Sequence, residues 1–318
     1  MVRRVAGIVL PCPNRPRSRC GPLTARAFPS SSYVPCCGHG DRQEATVIRA
    51  SLPRSILASF GILVAIFAWA AEPPVGQAET AEEAGIRIAT EARERQQGFG
   101  NFTSNLIMTL RTKRGQESNR EMRLKVMEVA DDGDRSVFVF DRPRDVKGTA
   151  FLVHAHKGEP DDQWLYLPAL KRVKRISSAN QSGSFMGSEF SYEDLGAVEV
   201  EKFTHRYLRD EPCGEFQCHV LERIPVSEDS GYSRQVIWLD KDELRSMQIQ
   251  YFDRREEHFK TMVMEDYAQY LDRFWRSSKI TMTNHLTGKS TVLVWSDYAF
   301  GTDLDARDFT RTALQRVR

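Results

Sequence analysis

After residue 100 the chain alternates apolar and polar residues with a period of two, the spacing of strands that bury one face. Turn signals such as Asp131-Asp132-Gly133 and Thr287-Gly288 separate the segments and favour antiparallel neighbours joined by hairpins. We therefore predict about ten strands. The clearest segments are 102–110, 121–129, 135–141, 148–156, 234–239, 244–253, 258–267, 278–286 and 290–298.

One helix is predicted before the strands. Thr80 and Glu83 have the spacing of a capping box, and apolar residues then recur at helical spacing from Ala84 to Ala92. A flat open sheet of about ten strands would curl or close. The pattern thus predicts a mainly β fold of the α+β class, with a single strongly curved antiparallel sheet and helical cover.

Residues 1–78 differ from the rest of the chain. The first part has no apolar period and predicts a disordered leader. Residues 56–71 form an apolar run with arginines before it and small residues after it, typical of a secretory signal cleaved near residues 49–78. A start codon near Val47 is an alternative to Met1. We expect residues 79–318 to form a single domain that is exported to the periplasm.

Charge and cysteine usage divide the chain at the same place. Residues 1–78 hold nine basic and three acidic residues, which leaves 36 basic against 40 acidic residues and a net charge of −4. This balance does not favour nucleic-acid binding. After the leader the cysteines are Cys213 and Cys218, and in an oxidising compartment they favour a short disulfide across a turn. Two free buried thiols remain the alternative.

Candidate catalytic patterns are weak. His154 and His156 stand two apart, so both would lie on one strand face and offer two metal ligands, but no third ligand has a telling spacing. The sequence has neither a nucleophile elbow nor a phosphate-binding glycine loop after a strand. We therefore predict a protein without catalysis, cofactor or metal.

The stretch from Asp161 to Leu195 has an unusual composition. Trp164 and Tyr166 alternate with Leu165 and Leu167, so both faces of this strand are apolar and we expect both to be covered. Four cations then follow within five residues: Lys171, Arg172, Lys174 and Arg175. They are interpreted either as a solvated sheet edge or as a basic rim for anionic groups.

A small-residue loop follows the cations and carries one large apolar pair. Phe185 and Met186 stand among serines and glycines in residues 177–190. A soft loop with an apolar tip predicts either a cap over a cavity or a contact tucked into the core. The sequence leaves both alternatives open.

These stretches carry a family resemblance. "GTAFL", "DDQWLYLPALKRVKRI" and "SGSFMGSEFSYEDL" resemble the outer-membrane lipoprotein-sorting-like proteins, whose fold is like that of the periplasmic lipoprotein carrier LolA. The resemblance runs from about Gln96 to Leu314 and implies a half-open antiparallel barrel with helices covering its concave face. It also implies an apolar cavity for acyl chains on that face.

The resemblance implies a function as well. We expect a periplasmic, non-catalytic carrier of acyl lipids or lipoproteins that works with an inner-membrane transporter of the RND or MMPL type and touches the membrane only transiently. The alternative is an interaction or regulatory module that docks on a transporter or sensor without carrying lipid. Met247, Ile249 and Tyr251 are expected on one strand face. The candidate ligand-binding residues are Trp164, Tyr166, Phe185, Met186, Met247, Ile249 and Tyr251.

Overall fold

The computed structural model describes residues 78–317. Apart from residue 78 itself, the leader, signal peptide, cleavage site and alternative start predicted within residues 1–78 therefore lie outside the described residues. Within the described part, no helix combines the length and the hydropathy needed to cross a membrane.

Within residues 78–317, thirteen strands form one sheet. They are β1 Asn101–Arg111, β2 Glu117–Met127, β3 Arg135–Arg142, β4 Ala150–His154, β5 Asp162–Leu167, β6 Arg172–Ile176, β7 Phe203–Cys213, β8 Phe216–Pro225, β9 Arg234–Asp240, β10 Ser246–Phe252, β11 His258–Tyr270, β12 Phe274–Asn284 and β13 Ser290–Phe300. The number exceeds the prediction of about ten, because β7 and β8 carry charged residues that interrupt the apolar alternation.

The sheet consists of two meanders. Strands β1 to β6 pair in sequence order, strands β7 to β13 do the same, and β1 pairs with β13 to join the two halves. All neighbours are antiparallel, and the sheet curls without closing into a barrel. The predicted fold class is confirmed. The two edge strands, β6 and β7, follow each other directly in the chain.

The N-terminal helix lies against β7. Helix α1 spans Ala81–Arg95, and Thr80 and Glu83 form the predicted capping box. Ile88 belongs to the main hydrophobic core on the concave face. A Cβ at Gly85 would stand 2.7 Å from the backbone nitrogen of Arg206, so only glycine lets the helix approach β7 this closely.

The C-terminal segment covers the opposite, outer face of the sheet. It contains a 3-10 turn at Ala306–Phe309 and a short helix, α2, at Arg311–Leu314. Phe309 and Leu314 are fully buried there. Their partners in the outer-face core are Val137, Val139, Ala150 and Leu152.

Residues 177–202 connect the two edge strands and are called the strap. The strap is built of short 3-10 turns, including Phe185–Gly187 and Tyr192–Leu195. Its Phe185 and Phe190 are buried in the core of the concave face. The strap therefore passes over the concave face of the sheet from one edge to the other.

Candidate functional site

A cavity of about 250 Å³ lies between the strap and the sheet. Strands β10 and β11 supply Ile249, Tyr251 and Met262 to its lining, and strands β8 and β9 supply Arg223 and Gln235. The strap and the β8–β9 loop form the other side. The cavity thus combines an apolar floor with a small number of buried polar groups, which is the usual composition of a ligand pocket.

The polar groups of the floor form one row across neighbouring strands. The strand register places Arg223 beside Gln235, Gln235 beside Tyr251, and Tyr251 beside Lys260. All four side chains are buried. We call Arg223, Gln235, Tyr251 and Lys260 the polar row.

The polar row was not predicted from the sequence, although the sequence carries a signal for it. Successive residues of a strand point to opposite faces, so residues two apart share a face. Arg223 stands two residues after Leu221, and Lys260 two residues before Met262; both apolar residues belong to the concave core or pack against it. Because Arg223 and Lys260 share a strand face with these apolar residues, both cations point to the covered, concave face of the sheet.

Arg223 is held by its neighbours. Its Nε donates to Oε1 of Gln235 at 2.7 Å, and its guanidinium lies 4.3 Å from the ring centre of Phe203. Burial lowers the pKa of Arg223 to about 10, which still leaves it a cation at neutral pH. Lys260 donates from Nζ to the Tyr232 hydroxyl at 3.3 Å.

Two acidic residues fasten the strap to the β8–β9 loop. The Tyr232 hydroxyl donates to Asp194 at 2.9 Å, and Glu193 accepts from the Ser230 hydroxyl at 2.8 Å and from the Gly231 amide at 3.0 Å. Burial, with a smaller contribution from the charge of Asp194, raises the pKa of Glu193 to about 7. The strap is therefore anchored by a buried polar network next to the cavity.

Of the apolar candidates, Ile249 and Tyr251 line the cavity. Met247 was expected on the same face, but it packs in the outer cluster with Val220 and Trp238. A register shift in β10 between Ser246 and Gln248 breaks the alternation and turns Met247 to the other side.

Trp164 and Tyr166 also lie on the outer face and not in the cavity. Both pack against the outer-face core beneath the C-terminal segment, and the Arg311 guanidinium stands 5.9 Å from the Trp164 ring centre. Leu165 and Leu167 face the concave side instead. Because both faces of β5 are apolar and covered, the sequence did not distinguish the cavity face from the other.

Phe185 is a core residue of the strap. It is fully buried, and its ring contacts the rings of Phe138, Phe140, Phe151 and Tyr192. Met186 follows in a left-handed conformation with a φ of 50° and is half-buried. Neither side chain lines the cavity. The two alternatives for this pair were a cap over a cavity and a contact with the core, and the structure shows the contact with the core.

The basic residues Lys171, Arg172, Lys174 and Arg175 are exposed on or beside edge strand β6. Arg175 pairs with Asp162 at 2.5 Å. None of the four lines the cavity. Their position fits a solvated edge that resists pairing with another sheet, and a role as a rim for anionic groups stays a prediction.

The histidine pair does not form a metal site. Strand β4 ends at His154, so His156 lies beyond it, and the two do not share a strand face. His154 Nε2 is 2.7 Å from the Phe309 carbonyl oxygen, and His156 Nδ1 is 3.0 Å from the Asp132 carboxylate. Within residues 78–317, no group of three or more His, Cys, Asp or Glu side chains has a metal-binding arrangement.

A disulfide joins Cys213 to Cys218 across the turn between β7 and β8, with 5.9 Å between the Cα atoms. Cys218 is fully buried and packs with Val220 and Trp238 on the outer face. The bridge therefore belongs to the hairpin at the edge of the sheet and has no contact with the cavity lining.

Comparisons with known proteins place this geometry in context. A family model described only as "Uncharacterized protein" matches residues 132–316. The chain is similar to an outer membrane lipoprotein-sorting protein domain from Vibrio parahaemolyticus, with 49% identity, a TM-score of 0.73, and coverage of 74% of this chain and 100% of that one. No curated protein matches the sequence.

Two further solved structures share the fold. A DUF1329 family protein from Desulfovibrio piger is 28% identical, with a TM-score of 0.71 and coverage of 74% of this chain and 99% of that one. A LolA superfamily protein from Nitrosomonas europaea is 20% identical, with a TM-score of 0.59 and coverage of 74% and 100%. At 20% identity, the similarity to the LolA superfamily protein concerns the fold alone.

The position of Phe185 predicts its contribution to stability. Phe185→Ala should lower the free energy of unfolding by about 3–5 kcal/mol, because it empties a fully buried site among aromatic rings. Met186→Ala, on the adjacent half-buried residue, is the matched control and should cost less. Urea denaturation of both variants measures the difference. Equal small losses would contradict a core role for Phe185.

The raised pKa of Glu193 predicts a pH-dependent stability. Between its ordinary value of 4.5 and about 7, the folded protein keeps the proton that the unfolded chain loses. This residue therefore lowers stability as the pH rises through that window. Glu193→Gln should remove this component, so the stability of the variant relative to wild type should increase from pH 5 to about pH 8.

Asp134→Asn is the control for this pH experiment. Burial raises the pKa of Asp134 to about 6, so its effect on stability falls in a lower pH window than that of Glu193. Chemical denaturation at a series of pH values measures both variants. Parallel pH profiles for wild type and Glu193→Gln would contradict a buried, protonated Glu193.

Proposed function

Because the chain belongs to the outer-membrane lipoprotein-sorting protein family, we propose that it carries an acyl lipid or lipoprotein in the cavity beneath the strap. The observation that carries the proposal is the cavity itself, which lies on the covered concave face with Ile249, Tyr251 and Met262 in its lining. An acyl chain there would be shielded from water on both sides, by the strap and by the sheet.

The hydrophobic effect supplies the driving force for such binding. Each buried CH₂ contributes about 0.8 kcal/mol, whereas association costs several kcal/mol in lost freedom of movement. Affinity should therefore grow with chain length until the cavity is filled. The strap is held in place by hydrogen bonds and by Phe185. An acyl chain longer than the cavity would therefore have to loosen the strap or extend out through the cavity opening.

In the proposed function, the protein binds its cargo without catalysis. The acidic groups beside the cavity, Glu193 and Asp194, both accept hydrogen bonds that fasten the strap. In the polar row, Arg223 Nε donates to Gln235 and Lys260 Nζ donates to the Tyr232 hydroxyl. The two acids beside the cavity therefore hold the structure together and do not act on the cargo.

We further propose that the carrier works in the periplasm and delivers cargo toward the outer membrane, in partnership with an inner-membrane transporter of the RND or MMPL type. The exposed cations of β6 offer a surface for an acidic partner or for anionic head groups, since summed charge steers association. Stable co-purification with a membrane protein, without bound lipid, would instead favour a docking module.

A cavity-filling substitution tests the carrier proposal. Ala197 lines the cavity, and Ala197→Trp should narrow it and weaken binding of a fluorescent fatty-acid analogue by about tenfold or more. Ala299→Trp makes the same change in size at an exposed position on β13 and should leave binding unchanged. Fluorescence titration measures both. Equal affinities in the two variants, or no binding by wild type, would contradict the proposal.

Charge reversal tests the edge strand. The edge variant changes Lys171, Arg172 and Lys174 to Glu. The control makes the same change at Lys113, Arg144 and Lys147, which are exposed at the β1–β2 and β3–β4 turns. Arg175 is kept because it pairs with Asp162. At low salt the edge variant should transfer a fluorescent lipid from anionic vesicles about tenfold more slowly than the control variant, because steering depends on charge.

Salt and vesicle charge provide the controls for this transfer assay. The wild-type rate on anionic vesicles should fall as the salt rises to about 0.15 M, where the screening length is about 8 Å. Neutral vesicles should show neither effect. If the two charge-reversal variants transfer lipid at the same rate, the cations of β6 form only a solvated edge and do not promote transfer.

A further inference from the structure

Arg223 is a buried cation without a carboxylate partner. Arg223 is 7% exposed. Among residues 78–317, no carboxylate oxygen lies within 4.0 Å of its guanidinium. A buried charge without an opposite charge is unfavourable, so proteins normally pair such groups.

Two other largely covered arginines of this protein have carboxylate partners. Arg93 lies 2.8 Å from Glu199, and Arg245 lies 2.9 Å from Asp240. In both pairs the carboxylate is nearly or fully buried.

Lys260 is buried as well and has no carboxylate within ion-pair distance among residues 78–317, but it donates to the Tyr232 hydroxyl and does not line the cavity. Arg223 differs from all three because its unpaired charge lies at the cavity, where a partner from outside the chain can reach it.

The free donors of Arg223 face the cavity. Nε is occupied by Gln235, and the described residues provide no hydrogen-bond acceptor for the two terminal nitrogens, Nη1 and Nη2. Arg223 contributes to the cavity lining, and these nitrogens are not among the fully enclosed polar atoms that lack a partner. Two parallel N–H donors are thus presented to the cavity in the fork that binds a carboxylate or phosphate.

The acids of the same cavity do not neutralise this fork. Asp161 pairs with Lys202, and Asp194 accepts from Tyr232 and attracts Arg223 only from beyond ion-pair distance. Glu193 is bound by Ser230 and Gly231. The other acids of the lining are exposed and lie at the mouth: Glu159, Glu201 and Asp229.

We propose that Arg223, oriented by Gln235, binds the anionic head of a single-chain amphiphile whose acyl chain lies over Ile249 and Tyr251. The head is a carboxylate or a phosphate, which share the paired oxygens that the fork requires. The inference rests on the proposed function and adds the chemical class of the cargo: an acyl chain that enters the cavity together with its charge.

The test compares three ligands by isothermal titration calorimetry: hexadecanoic acid, lysophosphatidic acid and the neutral hexadecan-1-ol. Wild type should bind at least one of the anionic ligands about tenfold more tightly than the alcohol, because a hydrogen bond to a charged group contributes more than a neutral one. The preferred anion identifies the head as carboxylate or phosphate. This comparison needs no variant.

Arg223→Met then removes the charge and keeps a long apolar side chain. The preference for the anionic ligand over the alcohol should fall to about twofold or less. Without ligand the variant should be at least as stable as wild type, since an unpaired buried cation is lost. Arg206→Met, at an exposed arginine on β7, is the matched control and should keep the preference.

Each outcome separates the inference from the proposed function. Equal binding of acid and alcohol by wild type would overturn the role of Arg223 and leave the carrier proposal standing. An anion preference that survives in Arg223→Met would also overturn it. If wild type binds none of the three ligands, the carrier proposal fails, and this inference fails with it.

Discussion

The strap is the constraint on which the site depends. Strands β6 and β7 follow each other in the chain yet form opposite edges of a thirteen-stranded sheet, so residues 177–202 must cross from one edge to the other. The crossing places Phe185 in the concave core and leaves a cavity beside it. A sheet closed by a β6–β7 pair would need no such crossing. The open edge of the sheet and the covered cavity therefore both result from the crossing of the strap.

The two ends of the strap are held by different interactions. Phe185 packs among aromatic rings at the β3–β4 end, while Glu193 and Asp194 accept hydrogen bonds from the β8–β9 loop at the other end. Apolar packing does not respond to pH, whereas the raised pKa of Glu193 makes the second attachment sensitive to it. The cavity lies beside this polar attachment, since Glu193 and Asp194 also line it.

The period of two predicted the strands and their antiparallel pairing, and the capping box predicted where α1 begins. Faces were harder to predict. Trp164 and Leu165 are both apolar and both covered, so composition does not say which one faces the cavity. Met247 is turned outward by a register shift in β10 that the residue letters do not encode. Arg223 was identifiable in principle from its parity with Leu221, because that parity directs a cation toward the core.

The central claim is that ligand binds on the concave face and not on the outer one. Met262 and Met247 lie on neighbouring strands, with Met262 in the cavity lining and Met247 in the outer cluster. Methyl-labelled methionine and an unlabelled fatty acid compare the two faces directly, because intermolecular NOEs arise only between a methyl group and acyl protons in contact with it. We expect NOEs from the acyl chain to the Met262 methyl group and none to the Met247 methyl group. NOEs to Met247 alone, or to both methyl groups equally, would contradict this placement.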